Sequence, residues 1–339
     1  MSAANGLPRA LSGKILVTRR LPPNVTARLQ RDFNPTLNPE DVLRTPAEWL
    51  QLANGHDAIL CCATEWMDAQ FMANLPGSVR MIATFSVGYE HIDVAGATAR
   101  NIIVTHTPEV LTDATADMTM LCLLAAARRA REGDALVRTG EWSVWTTEML
   151  LGVHVTGKRL GIYGMGRIGR AVARRARGFG MEIHYHNRTR LAPELELGAI
   201  YHESAERLLA VSQFLSLNAP AAAQNDKFLN EAAIGRLPDG AVVVNTARGS
   251  LVDDDALIAA LTRGKLAAAG LDVFAGEPRL DERYRTLANV FTMPHLGSAT
   301  HETRDAMGFC CLDNLSAFFA GKPCPNALND QASHDQDSR

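Results

Sequence analysis

Two doubly wound parallel sheets of the α/β class are predicted from three observations. Short β-branched segments alternate with helical patterns along most of the chain. The alternation comes in two series, separated by one long helical stretch and closed by another. A length of 339 residues gives room for about two domains, each with its own core.

In chain order, residues 14–17 read as the first strand. Residues 24–33 read as a helix with Asn24 at its N-cap. Strands at 58–62, 81–85 and 102–105 bring the first series to four. From Pro108 the pattern changes, and residues 113–131 read as a single Ala- and Leu-rich helix ending in a basic turn that suits its dipole. An irregular segment with Trp142 and Trp145 follows at 140–157. The second series then places strands at 159–163, 182–186, 214–218, 241–245, 268–273 and 290–293, six being the full count of a doubly wound dinucleotide-binding sheet. Residues 298–320 read as the last long helix. The second series therefore reads as an insertion. Residues 109–298 form a dinucleotide-binding domain within a substrate domain made of 1–108 and 299–330, with hinges near Pro108 and Ser298. Residues 331–339 form a loose polar tail.

Composition excludes several function classes. A formal charge of −3 argues against a nucleic-acid platform and a polybasic membrane binder. No apolar run reaches the roughly 18–20 residues that span a bilayer; the longest, 118–127, is stopped by Arg128 and Arg129. The six cysteines include two adjacent pairs and no C-x-x-C, which suits reduced, packed thiols, a cytoplasmic setting and no metal site.

The strand at 159–163 runs into Gly164-Met165-Gly166-Arg167-Ile168-Gly169, a G-x-G-x-x-G that opens a helix. Gly164 allows the tight turn, Gly166 the approach of a pyrophosphate, and Gly169 close packing of helix on strand. The N–H groups of Arg167 and Ile168 would face the phosphates from the helix N-terminus. At the end of the next strand, where an NAD site places a carboxylate, stands Asn187, followed by Arg188 and Arg190. Without the carboxylate a 2′-phosphate meets no repulsion, and a guanidinium can pair with it. NADP(H) is therefore expected over NAD(H), with NAD(H) the alternative.

Three further strands end in candidate chemistry: Asn245-Thr246-Ala247-Arg248, Asp272-Val273-Phe274-Ala275-Gly276-Glu277, and Pro294-His295-Leu296-Gly297. Behind a dinucleotide fingerprint, an Arg, a Glu and a His suit hydride transfer to a 2-oxo acid. Arg248 holds the anionic end and polarises the carbonyl, His295 supplies the proton, and Glu277 favours and orients the imidazolium.

On these motifs the chain resembles the D-isomer-specific 2-hydroxyacid dehydrogenases, and within them the glyoxylate/hydroxypyruvate reductases, over roughly residues 14–325. The resemblance implies a flavodoxin-like substrate domain, a Rossmann domain and a homodimer. It gives Arg248, His295 and Glu277 the roles above and places Asp272 near the nicotinamide amide. Thr115, Thr246, Ala247 and Gly297 would lie on the cofactor, and Asn218 and Pro220 at its adenosine side. The backbone N–H groups of Val87 and Gly88 would bind the substrate carboxylate, with Ala63 lining the pocket. Trp142 and Trp145 would reach across the dimer interface, core packing being the rival. Glu277 in place of Gln disfavours formate oxidation, Val87 in place of Lys disfavours phosphite, and the short stretch after His295 disfavours an added regulatory domain. The expected activity is NADPH-preferring reduction of glyoxylate or hydroxypyruvate. The alternatives are reduction of bulkier 2-oxo acids and a nucleotide-sensing corepressor.

Overall fold

The computed structural model describes residues 13–329, so the tail expected at 331–339 lies outside the described residues. The chain divides into two compact units, with breaks after Leu111 and Ser298.

The first unit, described over 13–111 and 299–329, is a five-stranded parallel sheet. It contains β1 (Lys14–Val17), α1 (Pro23–Asp32), β2 (Asn34–Thr36), α2 (Pro46–Leu52), β3 (Ala58–Cys61), α3 (Ala69–Asn74), β4 (Met81–Thr84), α4 (Val94–Ala99) and β5 (Ile103–Thr105). The strand order is β2-β1-β3-β4-β5. Inner strands β3 and β4 are buried along their whole length, as a sheet covered on both faces requires. One apolar cluster centres on Ile15, Val25, Leu60 and Leu312, the other on Leu16, Phe71, Ile82 and Val104.

The second unit, residues 112–298, carries α5 (Thr112–Ala127), α6 (Ala130–Arg138), β6 (Arg159–Tyr163), α7 (Arg167–Gly178), β7 (Glu182–His186), α8 (Pro193–Glu196), β8 (Ile200–Tyr201), α9 (Ala205–Val211), β9 (Phe214–Leu217), α10 (Glu231–Arg236), β10 (Ala241–Asn245), α11 (Asp254–Thr262), β11 (Leu266–Leu271) and β12 (Val290–Thr292). Its parallel sheet runs β12-β11-β10-β9-β6-β7-β8. The order reverses between β6 and β9, which makes the carboxyl ends of those strands the switch point where such sheets bind ligands. The final helix, α12 (His301–Phe319), packs back on the first unit against β4 and α1.

The structure corrects several expectations. Asn24 does not cap α1; Pro22 is at the N-cap and Pro23 opens the helix, a position where its missing N–H is harmless. Asn24 instead donates through Nδ2 to Asp305 Oδ2 on α12, at 2.7 Å. The first sheet has five strands, not four, because Asn34-Pro35-Thr36 pairs at an edge, where a proline costs no ladder bond. The second has seven, the extra one being the two-residue edge strand β8. The single helix expected at 113–131 is two helices. The Ala127 carbonyl accepts from Val153 N at 2.8 Å, and Arg129 turns left-handed with φ +53°. A neighbouring segment thus takes the acceptor that would have continued the helix. The Trp segment does not enter the core: Trp142 and Trp145 are 53% and 69% exposed.

All six cysteines are free thiols, four of them buried. Burial pushes Cys62 and Cys122 up to about 12 and Cys310 to about 11.

The loop from β7 to α8 is braced by Glu196. Its carboxylate accepts from Arg190 Nε at 2.7 Å, Arg190 Nη2 at 3.1 Å and the Tyr185 hydroxyl at 2.6 Å. These bonds, Arg190's first, lower the Glu196 carboxyl to about 2. A depressed carboxyl stabilises the fold fully above its ordinary titration range and loses that contribution as pH falls toward 2. Glu196→Gln should therefore unfold more easily than wild type at pH 7, and the difference in Tm should shrink between pH 5 and pH 2. Circular dichroism melts across that range check this; a constant difference would contradict it.

Candidate active site

The second unit carries its candidate residues at the carboxyl ends of its parallel strands. The chain leaves β6 through Gly164, whose φ is +94°. A Cβ there would lie 2.6 Å from Ala219 N, so only glycine fits against the turn after β9. A Cβ on Gly169 would lie 2.5 Å from Gly164 O, which is how helix α7 sits close on β6. Gly166, by contrast, caps α7 with open space around its Cβ position. Arg167 and Ile168 form the first turn of a 12-residue helix. This geometry suits a phosphate against a helix N-terminus.

Asn187 accepts from Met165 N through Oδ1 at 2.6 Å, which fastens the end of β7 to the glycine turn. Arg190 is held by Glu196, with its guanidinium over the Tyr201 ring at 5.6 Å. Arg188 is exposed, and among the described residues no hydrogen bond or ion pair engages its side chain. The two arginines are thus unlike: one is tied into the loop, the other is open to a ligand. Asn218 donates to Ser216 Oγ at 2.8 Å, and its buried Oδ1 has no partner. Pro220 is exposed, and its carbonyl accepts from Asn225 Nδ2 at 2.9 Å.

On the β10 side, Asn245 shapes the turn that carries Arg248. Its Oδ1 accepts from Ala247 N at 3.0 Å and its Nδ2 donates to Arg248 O at 2.8 Å. Gly249 then packs directly on the Phe274–Ala275 backbone, which brings the Arg248 turn beside the segment of Glu277. Thr119 of α5 links Thr115 and Thr246: its hydroxyl bonds Thr115 O at 2.8 Å and Thr246 Oγ1 at 2.6 Å. Sequence reading missed Asn245 and Thr119. A strand-ending Asn before a turn is a local signal that could have found the first; the second has none.

Glu277 and His295 form a close pair. Nδ1 of His295 meets Glu277 Oε2 at 2.6 Å. The other oxygen, Oε1, accepts from Phe274 N at 2.9 Å, so the carboxylate is fixed before the imidazole meets it. Burial pushes the Glu277 carboxyl up. The His295 bond and charge, the Phe274 N–H and the Arg248 charge outweigh it, and the net direction is down. Glu277 is therefore an anion facing Nδ1 of His295.

His295 has φ +57°, an unusual conformation for a residue with a side chain. Asp272 holds it. The Asp272 carbonyl accepts from His295 N at 2.8 Å, and its Oδ1 accepts from Leu296 N at 2.7 Å. Asp272 is buried, which raises its carboxyl despite the Leu296 N–H, the His295 charge and the Gly297 N–H. Its other oxygen, Oδ2, is buried without a partner among the described residues, and a Cβ on Gly297 would come within 3.3 Å of it and 3.4 Å of Thr115. An orphaned acceptor beside Thr115 and Gly297 fits a ligand that brings an N–H donor, as a nicotinamide carboxamide does.

On the first unit, Ala63 follows β3 and Val87 and Gly88 follow β4, all at carboxyl ends of parallel strands. Ala63 is exposed.

A sequence model described as D-isomer specific 2-hydroxyacid dehydrogenase, NAD binding domain, matches residues 120–297, more than half of the chain. The chain belongs to the D-isomer-specific 2-hydroxyacid dehydrogenase family. A glycerate dehydrogenase of Hyphomicrobium methylovorum is 42% identical over 317 residues, covering 93% of this chain and 98% of that protein. A crystal structure of a D-isomer specific 2-hydroxyacid dehydrogenase, NAD-binding, from Polaromonas sp. JS6 66 matches at TM-score 0.89 and 48% identity, covering 94% of this chain and 99% of that one. An NADPH-dependent glyoxylate/hydroxypyruvate reductase from Sinorhizobium meliloti, solved with NADP and malonate, matches at TM-score 0.84 and 33% identity, covering 93% and 96%. As in the rest of the family, residues 120–297 are a nicotinamide dinucleotide domain. No described helix is long and apolar enough to cross a membrane.

Proposed function

We propose that this dehydrogenase reduces a small 2-oxo acid with NADPH, glyoxylate to glycolate and hydroxypyruvate to D-glycerate. The Glu277–His295 pair, set beside the orphaned Asp272 carboxylate oxygen, carries the reading. The named activities of the Hyphomicrobium and Sinorhizobium proteins support the substrate class.

Asp272 would hold the nicotinamide carboxamide, and Gly166, Arg167 and Ile168 the pyrophosphate; the bound cofactor would supply the hydride. Arg248 draws the substrate carboxylate and polarises the carbonyl. His295, held through Nδ1 by Glu277, gives its Nε2 proton to the carbonyl oxygen as C2 is reduced. Glu277 remains an anion throughout and stabilises the charged imidazole. In the substrate unit, the N–H groups of Val87 and Gly88 serve the carboxylate. The preference for NADPH rests on Arg188, which is open, and on Asn187, which brings no negative charge to a 2′-phosphate.

We also propose a homodimer formed through the arm at 137–151, where Val137, Trp142, Val144, Trp145 and Leu151 are all exposed. Six free thiols suit a cytoplasmic setting.

An oxidation assay with NADPH and NADH against glyoxylate, hydroxypyruvate, pyruvate and phenylpyruvate tests the activity. Glyoxylate or hydroxypyruvate should give the highest kcat/KM. His295→Gln and Arg248→Ala should each lose at least about a thousandfold in kcat/KM while NADPH still binds. Near-normal turnover by His295→Gln would overturn the mechanism.

Arg188→Ala should raise the Kd for NADPH about tenfold or more and leave that for NADH nearly unchanged. Titration calorimetry separates the two, and equal losses for both cofactors would refute the assignment.

Light scattering should report a dimer for the wild type and a monomer for Trp145→Asp; a wild-type monomer would remove the arm's proposed role.

A further inference from the structure

The loop after β4 spends its carbonyls inward, one after another. Ser86 O accepts from Thr107 N at 2.9 Å. Val87 O accepts from His106 Nδ1 at 2.9 Å. Gly88 O accepts from Ser86 Oγ at 2.6 Å, and Tyr89 O accepts from Ile92 N at 2.9 Å. In a trans peptide the next N–H points opposite the carbonyl. The N–H groups of Val87, Gly88 and Tyr89 therefore face away from the bonds that hold Ser86, Val87 and Gly88. Among the described residues no hydrogen bond uses any of the three. Successive unspent N–H groups in a concave turn make an anion-binding nest.

One peptide in this nest is vulnerable. The unit between Val87 and Gly88 ends in glycine, which tolerates either backbone orientation. Were it to flip, a carbonyl oxygen would face the anion in place of the Gly88 N–H. Among the described residues the Val87 carbonyl is held by one partner, His106. A carbonyl can only accept, so Nδ1 of His106 carries the proton. The ring is itself placed. It directly follows β5, whose Thr105 pairs with Ala83 of β4, and it meets Tyr89 edge-on at 5.9 Å and 88°. The backbone N–H of His106 donates to Asn326 O at 3.3 Å.

We propose that His106 is a positioning residue for the substrate. It latches the Val87 carbonyl so that three N–H groups, of Val87, Gly88 and Tyr89, stay turned toward the 2-oxo acid carboxylate. This rests on the reading of Val87 and Gly88 as carboxylate donors. Its chemistry predicts a loss in substrate affinity rather than in the hydride step, since His106 touches neither the reacting carbon nor the oxygen.

The test compares His106→Leu with His106→Asn in the full chain. The two replacements share a shape, but only Asn keeps a donor near the Nδ1 position. His106→Leu should raise the KM for glyoxylate about tenfold or more, with kcat within about threefold and the Kd for NADPH unchanged. His106→Asn should return KM to within about threefold of wild type. Calorimetry with oxamate on the NADPH-loaded enzyme should show the same order of affinities without turnover. An unchanged KM in His106→Leu overturns the proposal, as does an equal loss in His106→Asn. Ser86→Ala, which releases the Gly88 carbonyl and leaves His106 in place, provides a second variant should His106→Leu fail to fold. Its KM should rise severalfold at constant kcat, and no rise overturns the nest. If the wild type neither reduces 2-oxo acids nor binds oxamate, the functional reading itself fails and this inference falls with it. If the wild type does both and only the His106 outcome fails, the latch alone is wrong.

Discussion

Asp272 holds the His295 turn of the dinucleotide unit together. Its carbonyl and one carboxylate oxygen take the N–H groups of His295 and Leu296 in succession. That pair of bonds keeps His295 at φ +57°, a conformation that costs an ordinary side chain roughly 1–2 kcal/mol. Two hydrogen bonds at about 1 kcal/mol each, one of them to a charged acceptor, are of the size needed to offset it. The strain has a use. The left-handed turn brings Nδ1 of His295 to Glu277 and leaves Nε2 outside that bond. The same carboxylate keeps one oxygen unspent, next to Thr115 and Gly297. One buried acid thus orients His295 and keeps an acceptor oxygen beside Thr115 and Gly297.

The two sheets supply the rigid frame. Parallel strands buried on both faces put their loops at one end, and both units place their candidate residues there. Close backbone approach recurs at those ends: Gly164 on Ala219, Gly169 on Gly164, Gly249 on Phe274. Between these contacts, polar side chains that touch no ligand shape the turns. Asn245 forms the Arg248 turn, Thr119 joins Thr115 to Thr246, and Glu196 ties down Arg190.

Much of this was legible in the residues. The glycine fingerprint, with a strand before it and a helix after, identified the dinucleotide turn, because both its steric demands are local. The Arg248, Glu277 and His295 segments stand out as candidates by their order and residue types, and the fold class and family both held. The unread parts have a common cause. Strand β2 contains a proline and β8 has two residues, so neither carries an alternating pattern; they exist because an edge was open beside β1 and β7. The break at Arg129 has no glycine or proline to announce it, since Val153, from a distant stretch, takes the Ala127 carbonyl. Arg188 and Arg190 look alike in the sequence and differ only because Glu196 reaches one of them.

The sequence alone determined what depends on neighbours along the chain: the alternation of strands and helices, the glycine turn, and the chemical types gathered behind it. Tertiary structure alone decided what depends on groups far apart in the chain. It set the two edge strands, the helix break, the orientation of His295 by Asp272, and the inward bonding of the Ser86–Tyr89 carbonyls. The physical reason is the reach of the forces. Backbone sterics and propensity act within a few residues and leave a pattern in composition. A hydrogen bond between Val87 and His106 leaves none until folding brings the two strands side by side.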